Sequence, residues 1–224
     1  MRKSVSLTVN ASGAVKAAEA GDVVVIVDVI DMSTGLEAAL DAGASYVFGA
    51  SPDHARAPVK LCPEEIGRLA GTKAKQEGTG VIIISEPRVG TEEERRTRSA
   101  GVIRGIEQAG AKVEAVFPNV GAETPKLGDF RGRVVVAVTD AGGVAFDAAF
   151  TAGAPAVLTG TIARTMQKRG REPAMAAAHR AIEAAAAHGA NITVVAASAN
   201  SLEDVLGAEY IMRAIIEEGF TALS

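Results

Sequence analysis

The chain has 224 residues, of which 48% are hydrophobic, with no tryptophan and a net charge of −4. This length suits one large domain, and the acidic balance argues against a nucleic-acid-binding surface. A single cysteine, Cys62, excludes an internal disulfide framework and suits a reducing cytoplasm. Met1–Val5 contains no apolar leader, and no apolar run approaches the ~20 residues that a membrane-spanning helix needs. We therefore expect a cytoplasmic protein with no nucleic-acid partner and no membrane partner.

Strands and helices are predicted in strict alternation along the chain. Short apolar runs predict strands at Val5–Val9, Val23–Val27, Tyr46–Phe48, Val81–Ile84, Val113–Phe117, Val134–Val138, Ala156–Leu158 and Ile192–Ala197. Amphipathic or Ala-rich segments predict helices at Ser12–Ala20, Leu36–Ala42, Pro63–Glu77, Thr91–Ala109, Gly143–Ala152, Pro173–His188 and Ser201–Glu218. This alternation predicts an α/β fold, a layered α/β/α arrangement around a largely parallel sheet.

Helix boundaries carry their own signals. Thr34-x-x-Glu37 and Thr91-x-x-Glu94 have the spacing of capping boxes, and Ser201-x-x-Asp204 resembles one. Pro63 suits the first turn of its helix, and Gly43 suits the end of the helix before it.

One unit of the chain occurs twice, at Gly21–Ala50 and Arg133–Gly160. Each copy consists of a strand, a polar loop, a helix and a second strand, and Gly35–Ala44 aligns with Ala145–Ala154 position by position. Chance likeness between Ala-rich helices is the alternative, but the ordered match of all the parts favours a duplicated βαβ layout. Ile192–Ile211 is a looser third copy.

The duplication suggests how the chain is divided. We expect a single domain over residues 1–224, within which two similar halves, 1–120 and 130–224, are joined by residues 121–129. This joining segment is rich in glycine, proline and charge.

Polar side chains follow several of the predicted strands. In a parallel sheet all the carboxyl ends of the strands meet at one edge, and ligands bind there. The side chains concerned are Asp28, Asp31, Ser33, Thr34, Glu86, Arg88, Thr139, Asp140, Thr159, Thr161, Arg164, Ser198, Asn200 and Glu203. Carboxylates at such an edge can hold Mg²⁺, while arginines and helix N-termini can hold an anion. The combination suits a small phosphorylated or carboxylated molecule.

Each of these residues also has a structural interpretation. Thr34 could simply cap a helix, Asp140 could be a turn residue, and Asn200 could be one as well. Arg164 belongs to a basic run of the kind that usually forms a solvated face. Asp28 is the hardest to explain in this way, because it directly ends a five-residue apolar run.

Three segments of the chain also carry a family resemblance. They are VVVIVDVIDMSTGLEAALDAGA, VAVTDAGGVAFDAAFTAGAPAVLTGTIAR and ITVVAASANSLEDVLGAEYI. In order and spacing they resemble the opening motif, the Thr-Thr-Asn-Gly-Thr segment and the closing strand and helix of the 2-phosphosulfolactate phosphatases, the ComB-type enzymes of coenzyme M biosynthesis. The resemblance implies a layered α/β fold and a Mg²⁺-dependent phosphatase that acts on a small phosphorylated acid.

The chain departs from the family pattern at several positions. Asp31 stands where the family has an arginine, and Ala196 lies near the position of the family's cysteine. The Gly-Asn-Ser-Pro signature of the family is missing. Asp28, Glu86 and Glu203 match the family best, and the losses suit a relative with a different substrate or with no catalysis.

The leading hypothesis is a hydrolase, a phosphatase that uses Mg²⁺. Its catalytic residues are Asp28, Asp31 and Asp140, and its metal ligands are Asp28, Glu86 and Glu203. Its substrate-binding residues are Ser33, Thr34, Arg88, Gly142, Gly143, Arg164, Ser198 and Asn200. The alternatives are a non-catalytic binder of an anionic metabolite and an assembly role, in which the Ala-rich helices pack between the subunits of a homo-oligomer.

Overall fold

The computed structural model describes residues 3–222. Met1 and Arg2, the start of the segment predicted to lack a leader, lie outside the described residues. The strands are β1 (Val5–Val9), β2 (Val23–Val27), β3 (Tyr46–Ala50), β4 (Val81–Ser85), β5 (Val113–Pro118), β6 (Val134–Val138), β7 (Val157–Thr159) and β8 (Ile192–Ala196). The helices are α1 (Asn10–Glu19), α2 (Ser33–Asp41), α3 (Pro63–Glu77), α4 (Glu92–Arg98), α5 (Ala100–Gln108), α6 (Ala141–Thr151), α7 (Glu172–His188) and α8 (Leu202–Glu217), with 3₁₀ turns at Gly121–Leu127 and Phe220–Ala222.

The strands form two separate sheets of four, and every pairing within them is parallel. The order in the first sheet is β1-β8-β2-β7, and the order in the second is β3-β6-β4-β5. The predicted α/β class with parallel strands and layered helices is therefore confirmed. The division into two sheets was not predicted, because an apolar run shows that a strand is buried without showing which strand it pairs with.

Alternation along β2 places its side chains in two different cores. Val23, Val25 and Val27 pack among alanines of α7 and α8, whereas Val24 and Ile26 face a larger core. That larger core contains residues of α2, α6 and the second sheet. Helices α2 and α6 contact strands of both sheets and so lie between them, while α3 and α5 pack on the second sheet.

The two copies of the repeated unit are interleaved. The strand–helix–strand layout is confirmed in both, as β2–α2–β3 and as β6–α6–β7. In each copy the helix carries the chain from one sheet to the other, so that β2 pairs with β7 and β3 pairs with β6. Both sheets consequently contain strands from before and after the 121–129 segment. The third copy supplies β8 and α8, and the described chain after α8 adds only the 3₁₀ turn at Phe220–Ala222.

Two helix predictions show what local signals can and cannot fix. Helix α3 begins at Pro63, as the Pro signal indicates, and ends before Gly78, which has a left-handed φ of 66°. The single helix predicted over Thr91–Ala109 is wrong, because it breaks at Ser99 into α4 and α5. The amide of Gly101 donates to Asp53 Oδ1 at 2.5 Å, and this contact from a distant loop interrupts the helical ladder.

Helices α3 and α5 approach each other through glycines. A Cβ added at Gly67 would lie 2.1 Å from the carbonyl oxygen of Val102, and one at Gly105 would lie 2.0 Å from that of Glu64. Only glycine permits this backbone-to-backbone distance.

Within residues 3–222, no helix combines the length and the apolar character required to cross a bilayer.

Candidate functional site

Asp28 lies directly after β2 of the first sheet and contacts the start of α6. Its side chain is buried, its Oδ2 accepts a hydrogen bond from the amide of Gly142 at 2.7 Å, and its Oδ1 accepts one from the amide of Asp31 at 3.0 Å. Gly142 lies in the first turn of α6, which follows a strand of the other sheet. A Cβ at Gly142 would lie 2.3 Å from Asp28 Oδ2, so the approach of this carboxyl group depends on glycine.

The surroundings of Asp28 raise the pKa of its carboxyl group towards neutral pH. The pKa of Asp28 is raised from 3.8 to about 7: burial is the main cause, the charges of Asp204 and Asp31 add to the rise, and the hydrogen bonds from two amides oppose it. Asp204, on α8, accepts a hydrogen bond from the amide of Val29 at 2.9 Å. Burial also raises the pKa of Asp204, to about 6, against the effect of that amide. Two neighbouring carboxyl groups therefore titrate in the range where enzymes use acids and bases.

Arg88 joins the loops that follow β2 and β4. Its Nη2 lies 2.8 Å from Asp31 Oδ1 and donates to the carbonyl oxygen of Ile30 at 3.2 Å. Its Nε lies 3.6 Å from Glu86 Oε1, an oxygen that is buried and has no hydrogen-bond partner among the described residues. The fold thus brings together Asp31, Glu86 and Arg88, so that one guanidinium faces two carboxylates.

Asp140 lies at the same edge but contacts different groups. Its Oδ2 is 2.6 Å from Arg98 Nη2, and its Oδ1 is 3.5 Å from His54 Nε2. The amide of Gly143 donates to Thr139 Oγ1 at 2.9 Å. The amides of Gly142 and Gly143, which the sequence suggests for anion binding, are thus hydrogen-bonded within the chain.

Ser33 and Thr34 begin α2 and organise the turn around Asp28. Ser33 Oγ accepts a hydrogen bond from the amide of Asp28 at 3.0 Å. Thr34 Oγ1 donates to the carbonyl oxygen of Val29 at 2.5 Å and lies 2.8 Å from Thr161 Oγ1. Both hydroxyl groups are buried in these contacts, which tie the loop after β2 to the loop after β7.

The capping boxes have different outcomes. The box at Thr91 and Glu94 is confirmed, since both of its reciprocal hydrogen bonds are present. The box at Thr34 and Glu37 is wrong, because Thr34 lies inside α2 and Glu37 is buried against Arg180. A long-range ion pair here replaces the local contact that the spacing predicted.

The cap predicted at Ser201 and Asp204 is also wrong. Ser201 makes no side-chain capping hydrogen bond, and Asp204 turns instead towards the loop after β2. Glu203 contributes a charge that raises the pKa of Asp204. Ser198 Oγ accepts a hydrogen bond from the amide of Asn200 at 3.1 Å, which closes a local turn.

Arg164 is exposed and lies apart from the contacts of Asp28. Its Nη2 is 3.1 Å from Glu123 Oε1 of the 121–129 segment. This pairing agrees with the solvated-face interpretation of the basic run.

Four of the five acids that the sequence analysis singled out follow β2, β4 and β6 and form two groups, whereas Glu203 lies in α8. Asp28, Asp31 and Glu86 are connected through short contacts, whereas Asp140 turns towards Arg98. Within residues 3–222, no group of three or more His, Cys, Asp or Glu side chains is placed to hold a metal ion. Arg88 faces Asp31 and Glu86, and these carboxylates form no ligand cluster with Asp28 in the described chain, so these donors do not fit a Mg²⁺ site in this arrangement.

Sequence reasoning missed four residues of this edge. Asp204 was interpreted as a cap and Arg98 as part of a charged helix. His54 follows β3, and Asn119, whose side-chain amide donates to the carbonyl oxygen of Asp31, follows β5. The strand-end argument, applied to those two strands, would have found both His54 and Asn119.

Comparison with known protein families finds no family that matches the sequence, and comparison with curated proteins finds none that matches it.

Proposed function

We propose that the chain hydrolyses the phosphate ester of a small organic acid at the Asp28 site, beside the carboxyl ends of β2 and β4. The observation that supports this most is the buried carboxyl group of Asp28, whose pKa of about 7 lets it exchange a proton near neutral pH. The resemblance of three segments to 2-phosphosulfolactate phosphatases supports the same reaction class.

In this proposal Asp28, Arg88 and Asp204 have different roles in the reaction. Ionised Asp28 accepts a proton from a water molecule while the water oxygen attacks phosphorus, and the bond from phosphorus to the ester oxygen breaks. Arg88, whose side chain is 43% exposed, orients the phosphoryl oxygens after exchanging its carboxylate partners for them. Asp204 has the lower pKa, about 6, so it is ionised before Asp28 as the pH rises; its charge helps to keep the pKa of Asp28 high, and the departing oxygen takes its proton from solvent water.

Dependence on Mg²⁺ stays a separate prediction. When bound to a phosphoryl group, Mg²⁺ neutralises charge on its oxygens. Because the donors around Asp28 do not fit the ion, no step above depends on it. Activity measured with Mg²⁺ and with excess EDTA tests this part alone.

Phosphate release from a panel of phosphorylated hydroxy acids tests the proposal. We expect the rate to rise with an apparent pKa near 7, and Asp28→Asn to lower it by about 100-fold or more. Asp129→Asn, at an exposed site on the 121–129 segment, is the matched control. Equal rates for wild type and Asp28→Asn would remove Asp28 from the mechanism.

A second candidate is a non-catalytic binder of an anionic metabolite. It is favoured by Asp31, which replaces the arginine of the resembling family and pairs with Arg88. Stabilisation of the chain against heat by a metabolite that it does not turn over would support this function, and phosphate release would contradict it.

A further inference from the structure

A second polar cluster lies beside the Asp28 site, at the carboxyl end of the second sheet. Arg98 of α4 and His54 of the loop after β3 line a cavity of about 630 Å³, and Asp140 contacts both side chains. Pro87 lines the same cavity, and its neighbours Glu86 and Arg88 belong to the Asp28 site. The cavity therefore adjoins the proposed reaction site without including Asp28.

The guanidinium of Arg98 has donors that form no hydrogen bond within the described part of the chain. Its side chain is only 17% exposed, and within the described part of the chain its buried Nε and Nη2 have no hydrogen-bond partner. Asp140 Oδ2 lies 2.6 Å from Nη2, close enough for an ion pair but outside hydrogen-bond geometry. His54 Nε2 lies 3.3 Å from Nη1. A guanidinium with buried, unpaired N–H groups binds an oxyanion strongly, because two of its donors can match two oxygens.

Such a ligand can displace the Asp140 carboxylate from Arg98 without disturbing the start of α6. Its side chain is 69% exposed, and it precedes α6 without capping it, since Thr139 accepts the hydrogen bond from the Gly143 amide. Movement of this carboxylate into solvent would uncover Arg98 and leave the helix end intact.

The other acids of the cavity are largely engaged elsewhere. Asp53 accepts a hydrogen bond from the amide of Gly101 and lies 3.5 Å from Arg104 Nη2. Glu94 belongs to the capping box with Thr91. Glu93 is exposed, so water and salt screen its repulsion of an anion.

We propose that Arg98 and His54 form a binding site for a small oxyanion, a phosphate or carboxylate group, and that the Asp140 carboxylate occupies this site when no ligand is bound. The proposal concerns binding only, and it stands whether or not the chain hydrolyses phosphate esters. If both proposals hold, the site offers a place for a second anionic group of the substrate.

Titration calorimetry of the full chain with inorganic phosphate, and separately with acetate, tests the site. Arg98→Gln should weaken binding by about tenfold or more, because it removes a charge-assisted contact. Asp140→Asn should tighten binding by about two- to fivefold, because it removes a competing carboxylate. Arg96→Gln, on the same helix but paired outwards with Glu92, is the control and should leave binding unchanged.

The tighter binding expected for Asp140→Asn distinguishes this proposal from a purely structural role of the ion pair between Asp140 and Arg98. If Asp140→Asn weakens binding as Arg98→Gln does, Asp140 positions the arginine and the proposal is wrong. Unchanged binding in Arg98→Gln, or no binding of either anion to wild type and Asp140→Asn at about 10 mM, would also overturn it. Should Arg98→Gln not fold, His54→Gln, at a side chain that is 60% exposed, provides the same test with a smaller expected loss. Preference for phosphate over acetate, or the reverse, identifies which oxyanion the site takes.

Discussion

Asp28→Asn is expected to flatten the dependence of the free energy of unfolding on pH. Burial raises the pKa of Asp28 to about 7 in the folded chain, while the unfolded chain retains the ordinary 3.8. A carboxyl group with a raised pKa contributes most to stability below the unfolded value, where it is protonated in both states. That contribution is lost as the pH rises from about 4 to about 7.

The size of the effect follows from the two pKa values. They differ by about 3, and at 1.36 kcal/mol for each pH unit the folded wild type loses about 4 kcal/mol across this range. Asparagine cannot ionise. Its side-chain NH₂ group, like the OH group of the protonated acid, is a hydrogen-bond donor and would face one of the two backbone N–H groups that now donate to Asp28. The two proteins should therefore have similar stability near pH 4, and the variant should gain up to about 4 kcal/mol relative to wild type by pH 8.

Urea denaturation of both proteins at pH values from 4 to 8 measures this difference. Asp204 titrates in both chains, so its own contribution largely cancels. Asp129→Asn is the control, because the hydrogen bond from Arg131 lowers the pKa of Asp129 to about 2, below the measured range. A difference between wild type and Asp28→Asn that stays constant to within about 0.5 kcal/mol, or that changes in the opposite direction, would refute the reasoning. Since the same variant should lose activity, a more stable but inactive protein at pH 8 is the combined expectation.

Three further substitutions probe the architecture by urea denaturation. Gly67→Ala should destabilise the chain by about 1–3 kcal/mol, because its Cβ would lie 2.1 Å from the carbonyl oxygen of Val102; no loss would mean that α3 and α5 can separate freely. Gly142→Ala should cost a similar 1–3 kcal/mol by displacing the Asp28 carboxyl group, and an unchanged activity profile would contradict the link between α6 and Asp28. Thr91→Ala should cost about 1 kcal/mol through loss of the capping box, whereas a neutral result would show that α4 is held by packing alone.

The sequence predicts local features well where the signal is itself local. Pro63 and Gly78 delimit α3, and the apolar runs of β2 and β6 appear as fully buried strands. The break at Ser99 was missed because its cause is Asp53, which is distant in sequence. The two-sheet arrangement was missed for the same reason, since strand pairing depends on contacts between distant segments.

The sequence predicts the part of the candidate site that directly follows strands. Asp28 could be singled out because an acid directly ends an apolar strand, and the fold places it against the start of α6. Asp204 could not be found in this way, since the spacing Ser201-x-x-Asp204 suggests a local cap as readily as a long-range contact. Arg98 was hidden within a charged helix, and only the packing of α4 shows that it is mostly buried.

The interleaving of the two repeated units has a consequence for fragments of the chain. Cleavage of the chain within residues 121–129 would separate β2 from β7 and β3 from β6, so neither fragment alone could form a complete sheet. To rebuild the fold from the two pieces, β8 would have to insert between β1 and β2, and β6 between β3 and β4.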